Sequence, residues 1–237
     1  MSGEGCAMRT ILPALGLILV ASTPANAATR NFGVSGFDRI RVEGPFRVKV
    51  TTGVAPFARA SGSAQGIDGL SIATLGRTLV VRGGSSWGGY PGAAAGPIEV
   101  EIGTHELSSA SLVGSGSLAI SAVKGLTFDL TAQGSGAASI GAVAVDQFRL
   151  QAGCSGAISL AGAAQKITAV IRGVSSFDAR ELAVKNAVIG AEGAATIRMN
   201  VSETAKVDAR GASTVELTGS PACASKTQGS ASVSGCR

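Results

Sequence analysis

The 237-residue chain is 45% hydrophobic yet only 4% aromatic, holds 34 glycines, and carries a formal charge of +5. Ala and Val supply much of the apolar content, which suits narrow, closely stacked β-structure and excludes a broad core built on Phe and Trp. No long helical periodicity follows residue 27, which argues against α/β and all-α folds, and neither a recognition helix nor an aromatic RNA platform is visible, so nucleic acid is not an expected partner.

Residues 8–27 read MRTILPALGLILVASTPANA. Arg9 forms a short positive region, Ile11 to Val20 an apolar stretch, and Ala25-Asn26-Ala27 a small-residue cleavage site, the pattern of a signal peptide. The expected division is a cleaved segment 1–27, starting at Met1 or Met8, and a β-domain 28–237. The apolar stretch is too short to span a bilayer comfortably and no later segment does better, so no transmembrane segment is expected after cleavage. Ala28 stands where a lipoprotein would need Cys. An extracytoplasmic location follows (periplasm, cell surface or medium). The charge survives cleavage, because Glu4 and Arg9 leave together, and favours anionic polysaccharide or lipopolysaccharide.

The part from 30 to 107 is less regular. Phe37, Ile40, Val42 and then Phe46, Val48, Val50 alternate with Arg39, Arg41, Arg47 and Lys49, which predicts two strands joined at Glu43-Gly44-Pro45. The four cations should share an outward face, and no acid occurs between Glu43 and Asp68, so they form a candidate anion-binding patch. Equally, charges on edge strands deter aggregation. Further strands are expected near 70–73, 78–82 and 97–102, as irregular first coils or as a capping sheet.

The loop from Gly83 to Pro97 holds the only Trp and the only Tyr, Trp87 and Tyr90. Two aromatics on a flexible loop are a candidate sugar-stacking pair, or a lid folded over apolar surface. Gly84-Ser85-Ser86-Trp87-Gly88 matches the serine-hydrolase pattern, but that motif needs a helix to follow. Here Gly89-Tyr90-Pro91-Gly92 is loop, and His105 is the single histidine available as a base. No enzyme is expected.

From residue 113 the chain repeats. Val113-Gly114-Ser115-Gly116, Gln133-Gly134-Ser135-Gly136 and Gly153-Cys154-Ser155-Gly156 are followed by copies at Arg172-Gly173, Glu192-Gly193, Arg210-Gly211 and Gln228-Gly229. The glycine column falls at 114, 134, 154 (Cys), 173, 193, 211 and 229, a step of 18 to 20. Short alternating runs lie between these turns: Leu126, Phe128, Leu130; Val145, Phe148, Leu150; Ile167, Ala169, Ile171; Val184, Ala187, Ile189. A self-similar step near 20 with period-2 strands reads as one coil of a parallel β-helix, and the crossover rule predicts right-handed winding. Stacked coils should then place Arg172, Glu192 and Arg210 in one outward column and Asp178, Arg198 and Glu216 in another, each alternating in sign. With acid alternating with base, paired catalytic carboxylates are not expected. One His and three dispersed Cys after the signal exclude ordinary zinc geometry. No metal or cofactor is expected.

Cys223 and Cys236 flank a Ser/Gly-rich loop, and in an oxidising compartment a disulfide between them is expected. Cys154 is expected to stay free and buried.

Gly36-Phe37-Asp38-Arg39-Ile40-Arg41-Val42-Glu43-Gly44-Pro45-Phe46-Arg47-Val48-Lys49-Val50, with the Gly-Ser-Gly repeats and Gly219-Ser220-Pro221, resembles the head GIN domain of putative auto-transporter adhesins (DUF2807), over nearly all of residues 28–237. The resemblance implies a bacterial, extracytoplasmic, single-stranded parallel β-helix, and supplies no catalytic residues. The expected roles are an interaction module for an envelope or extracellular glycan or protein, or a structural or envelope-stress protein without a specific ligand. A polysaccharide-active enzyme is the remote third.

Overall fold

The computed structural model describes residues 28–84 and 97–237. The expected signal segment and the aromatic pair Trp87 and Tyr90 lie outside the described residues. The first part comprises β1 (Ala28–Phe32), β2 (Arg39–Glu43), β3 (Arg47–Thr52), β4 (Phe57–Gly62), a one-turn helix α1 (Ala64–Asp68), β5 (Leu70–Leu75), β6 (Thr78–Gly83) and β7 (Glu99–Thr104). The repeat region follows as β8 (Ser109–Val113), β9 (Ser117–Gly134), β10 (Ala137–Cys154), β11 (Ala157–Gly173), β12 (Ser176–Gly193), β13 (Thr196–Gly211), β14 (Thr214–Thr218), β15 (Ala222–Gly229) and β16 (Ser232–Ser234). These sixteen strands form one hydrogen-bonded sheet, wound between residues 109 and 234 into a β-solenoid of about six turns.

Each coil is made by its pattern of outward residues. In β10, Ala138 and Ile140, then Val143 and Val145, then Phe148, Leu150 and Ala152 are buried. Gly141-Ala142 and Asp146-Gln147 are adjacent exposed pairs. Two successive outward residues break the alternation of a strand and bend the chain, so the coils of β9 to β12 carry three inward runs, whereas in β13 Ile197, Met199 and Val201 alternate without the first break. Here we name the outer surfaces of the runs the first (137–140 in β10), second (142–145) and third (147–153) faces. Parallel pairing stacks like on like: Phe128 on Phe148, with ring centroids 5.6 Å apart, and Leu130 on Leu150. The space inside a coil is narrow. Where Phe148 fills it on the third face, the stacked inward residue of the first face is Ala138. Where Phe177 occupies the first face, Ala187 stands at the third-face position that Phe148 holds in β10, beside Ile189 and Ala191.

The turn between the third face and the next coil's first face carries the glycine column. All its members have positive φ, including Cys154 at 82°, and each turn hydrogen-bonds to the one before it: Ala194 N–H donates to the Gly173 carbonyl and Ala212 N–H to that of Gly193. Cys154 is free as expected, but exposed rather than buried, because the turn points out of the core. Leu126 also departs from expectation. It is 76% exposed, since it follows Gly125 (φ 138°) at a bend instead of leading the inward run. Between β12 and β13 the register shifts at two places: pairing jumps from Ala179–Met199 to Ala183–Asn200, leaving 180–182 as a bulge, and from Val184–Val201 to Asn186–Thr204, where β13 holds one residue more.

The column extends where the repeat was not visible. β2 pairs in parallel with β8 and β3 with β9, so the Gly44 turn lies directly below that of Gly114, and Gly116 N–H donates to the Gly44 carbonyl. Thus β2–β3 is a true coil, and the segment from 53 to 108 is an insertion between it and the next. Inside the insertion β6 and β7 continue the parallel stack, while β4 and β5, with β1 from before the first coil, add antiparallel strands as an end cap. Both expectations for this region hold, for different strands. Asp38 fastens the junction: its buried carboxylate accepts from Arg77 Nε at 3.0 Å and Nη2 at 2.5 Å and from the Ser108 hydroxyl at 3.0 Å.

At the far end Cys223 and Cys236 are bonded, as expected. β15 stacks on the third face of β13 and β16 on β14. The bridge therefore joins the start of the last coil to its end and closes it as a ring, where earlier coils continue around the bend.

Candidate binding surface

On β2 and β3 the alternation works as the sequence implies: Ile40, Val42, Val48 and Val50 are buried, and Arg39, Arg41, Arg47 and Lys49 point outward. Acids nonetheless reach them. Arg41 pairs with Glu43 of its own strand at 2.5 Å, and Arg47 lies 4.0 Å from Glu99. Glu101 sits in register beside both Lys49 and Arg59. Both carboxylates come from β7, about fifty residues onward, so the stretch without acids in the sequence is not a surface without acids. Arg39 is flanked by Thr78 and Ser109 instead.

The charge columns stand in register as predicted. Arg172 pairs with Glu192 at 3.0 Å, and Arg198 with Glu216 at 2.8 Å. The outer members turn to a neighbour two residues away on their own strand: Arg180 holds Asp178 at 2.5 Å and Arg210 holds Asp208 at 3.0 Å. A contact within one strand competes with the rung above because both neighbours lie within reach of an arginine. The Arg180 hydrogen bond lowers the Asp178 carboxyl below its ordinary value, and the Asp178 and Asp208 carboxylates raise Arg180 and Arg210 in turn. A third pair, Arg149–Asp129 at 3.6 Å on adjacent rungs, was not anticipated.

Nine ion pairs occur among the described residues, and every one uses arginine. The lysines are left over. On the third face Arg149, Lys166, Arg172, Lys206, Arg210 and Lys226 face Asp129, Glu192 and Asp208. The first face of the same coils carries Asp178, Arg198 and Glu216 among Ser, Thr and Ala. Positive charge is thus concentrated on one side.

Concavities mark the solenoid wall among the described residues, one of them, about 430 Å³, beside Ser159, Asp178 and Arg180, and two more on the second and third faces. One, of about 440 Å³, crosses the second face over the stacked Ala144, Ala163 and Ala183, with Asp146, Gln165 and Lys185 at its rim. The other, of about 660 Å³, lies on the third face between Lys166 and Lys206. Among the described residues no three His, Cys, Asp or Glu side chains gather as a metal cage. The lysines escape sequence reading because they fall at different repeat phases, and only the register shows that they approach one another.

Residues 36–221 match the family described as putative auto-transporter adhesin, head GIN domain. The chain belongs to this family. No curated protein matches it. Among solved structures, this GIN-domain protein resembles a putative adhesin from Bacteroides fragilis at 19% identity and a TM-score of 0.77, over 86% of this chain and 94% of that one. A putative lipid binding protein from Parabacteroides distasonis aligns at 18% identity with a TM-score of 0.73, over 90% and 98%. A putative adhesin from Parabacteroides merdae aligns at 18% with a TM-score of 0.62, over 89% and 96%. At such identities the likeness establishes the fold.

Proposed function

We propose that this GIN-domain protein is exported and acts, without catalysis, as an adhesin-like interaction module that holds an anionic envelope or extracellular glycan. The observation that carries this reading is the concentration of cations on the third face, where β-rungs hold side chains at fixed spacing and no lysine is ion-paired among the described residues. Family membership and the leader-like residues 8–27 support an extracytoplasmic site of action, as does a disulfide closing the last coil.

The test is a glycan-array and lipopolysaccharide screen of the exported protein. It includes a Trp87→Ala, Tyr90→Ala variant and an Arg39→Gln, Arg41→Gln, Arg47→Gln, Lys49→Gln variant to weigh the other two candidate patches. Retention of acidic over neutral glycans is expected, with salt-sensitive strength. Absence of retention on every glycan overturns the glycan reading and favours a structural envelope role. Turnover of any polysaccharide overturns the non-enzymatic one. Phospholipid vesicles belong in the screen because one structural neighbour is described as lipid binding.

A further inference from the structure

We propose that the third face seats a linear polysaccharide bearing carboxylate or sulfate groups, along a diagonal defined by Lys166, Lys206 and Lys226. This rests on the glycan-binding reading above and names its site and ligand class.

The diagonal follows from register. Lys166 pairs with Asn186 and Asn186 with Thr204, so Thr204 stands two rungs above Lys166. Lys206 lies one outward position further along the strand, with Ala224 on the rung above it, and Lys226 is one outward position beyond Ala224. With rungs ~4.8 Å apart and ~3.3 Å per residue, the backbone positions of Lys166 and Lys206 are about 12 Å apart and those of Lys206 and Lys226 about 8 Å. Charges so placed match alternate residues of an extended sugar chain crossing the rungs obliquely.

Between the first two lysines lies the 660 Å³ basin. Asn186 and Thr204 line it, with Thr204 Oγ1 donating to Asn186 Oδ1 at 2.5 Å and Asn186 Nδ2 reaching Glu203 at 3.3 Å. Val188, 36% exposed, and Ala222 supply a small apolar floor. An amide and a hydroxyl beside a flat aliphatic patch suit the hydroxyls and C–H face of a pyranose. Asp208, between Lys206 and Lys226, is occupied: Arg210 grips both its oxygens at 3.0 Å. Double-stranded DNA is disfavoured because the face has no aromatic or helix to enter a groove. A membrane is disfavoured because Val170 and Val188 are the only large apolar side chains exposed there among the described residues.

The experiment measures binding of the full exported protein to polygalacturonate and heparin, with dextran as the neutral control and phosphatidylglycerol vesicles and duplex DNA as competing partners. Lys166→Gln, Lys206→Gln, Lys226→Gln, three exposed changes with no ion pair to lose, should weaken acidic-glycan binding about 30-fold and flatten its salt dependence. The β2/β3 quadruple variant removes more charge from the first coil, several rungs away from Lys166 along the stack, and should change it less than about threefold. Val188→Glu, which places a carboxylate in the basin, should weaken binding comparably while melting like the parent protein. Undiminished binding by the lysine variant overturns the site but leaves the glycan function standing. Equal loss in the quadruple variant, equal retention on dextran, or tighter binding to vesicles or DNA also overturns the proposal. Failure of the parent protein to bind any glycan overturns both readings.

Discussion

Replacing Gly193 with Ala tests whether the coils stack through their turns. Gly193 has φ +102°, and a Cβ built there would lie 2.7 Å from the Gly173 carbonyl oxygen of the preceding coil. The positive-φ conformation costs an L-residue about 1–3 kcal/mol, and forcing apart two packed rungs adds about 1–3 kcal/mol. Ala reduces the entropy of the unfolded chain and returns about 0.4–1 kcal/mol, which leaves a net loss of about 1–5 kcal/mol, centred near 3. Gly190, three residues earlier on β12, is the internal control. It has ordinary strand geometry, and a Cβ there meets nothing closer than the Ala169 oxygen at 4.0 Å. Gly190→Ala should therefore be neutral or slightly stabilising. Equilibrium urea unfolding, followed by circular dichroism and by limited proteolysis so that uncoupled coils are detected, reads both. A Gly193→Ala protein within about 0.5 kcal/mol of the parent, a margin typical of unperturbed surface sites, would refute the argument. So would an equal loss in Gly190→Ala.

Phe148 is fully buried against Phe128, and Phe148→Ala should cost about 3–5 kcal/mol in the same urea assay, as aromatic truncations in packed cores do. Replacing Cys223 and Cys236 by Ser opens a ring of sequence separation 13. This should remove about 3 kcal/mol from the last coil, seen as faster hydrogen exchange over β15 and β16 with β9 to β12 unchanged. The lowered Asp178 carboxyl gives a pH dependence of known sign: its stabilisation is present above the unfolded-state value and is lost as pH falls through the lower folded-state value. Urea midpoints measured from about pH 5 down to about pH 2, which brackets the usual carboxylate range, should drop less steeply in Asp178→Asn than in the parent.

The exchange of Phe148 and Ala138 for Phe177 and Ala187 shows why parts of this chain are legible and others are not. A repeat step of 18 to 20 residues can place a side chain on a rung, and it placed Arg172 beside Glu192 and Arg198 beside Glu216. It cannot say which of two reachable partners wins, and Asp208 went to Arg210 on its own strand. The Gly44 turn obeys the same geometry as Gly114, but an insertion separates them, so periodicity alone cannot see that they stack.

By itself the sequence determined the parallel coil, its period, the inward and outward alternation, the Cys223–Cys236 closure and the family, because each depends on residues near in sequence or repeating at a fixed step. The tertiary structure alone decided that β7 brings Glu99 and Glu101 to the β2–β3 cations and that Cys154 and Leu126 face outward. It alone brought Lys166, Lys206 and Lys226 onto one diagonal. Those outcomes depend on register across long separations and on where each bend falls, and a slip of one residue at a bend reverses the face of everything after it.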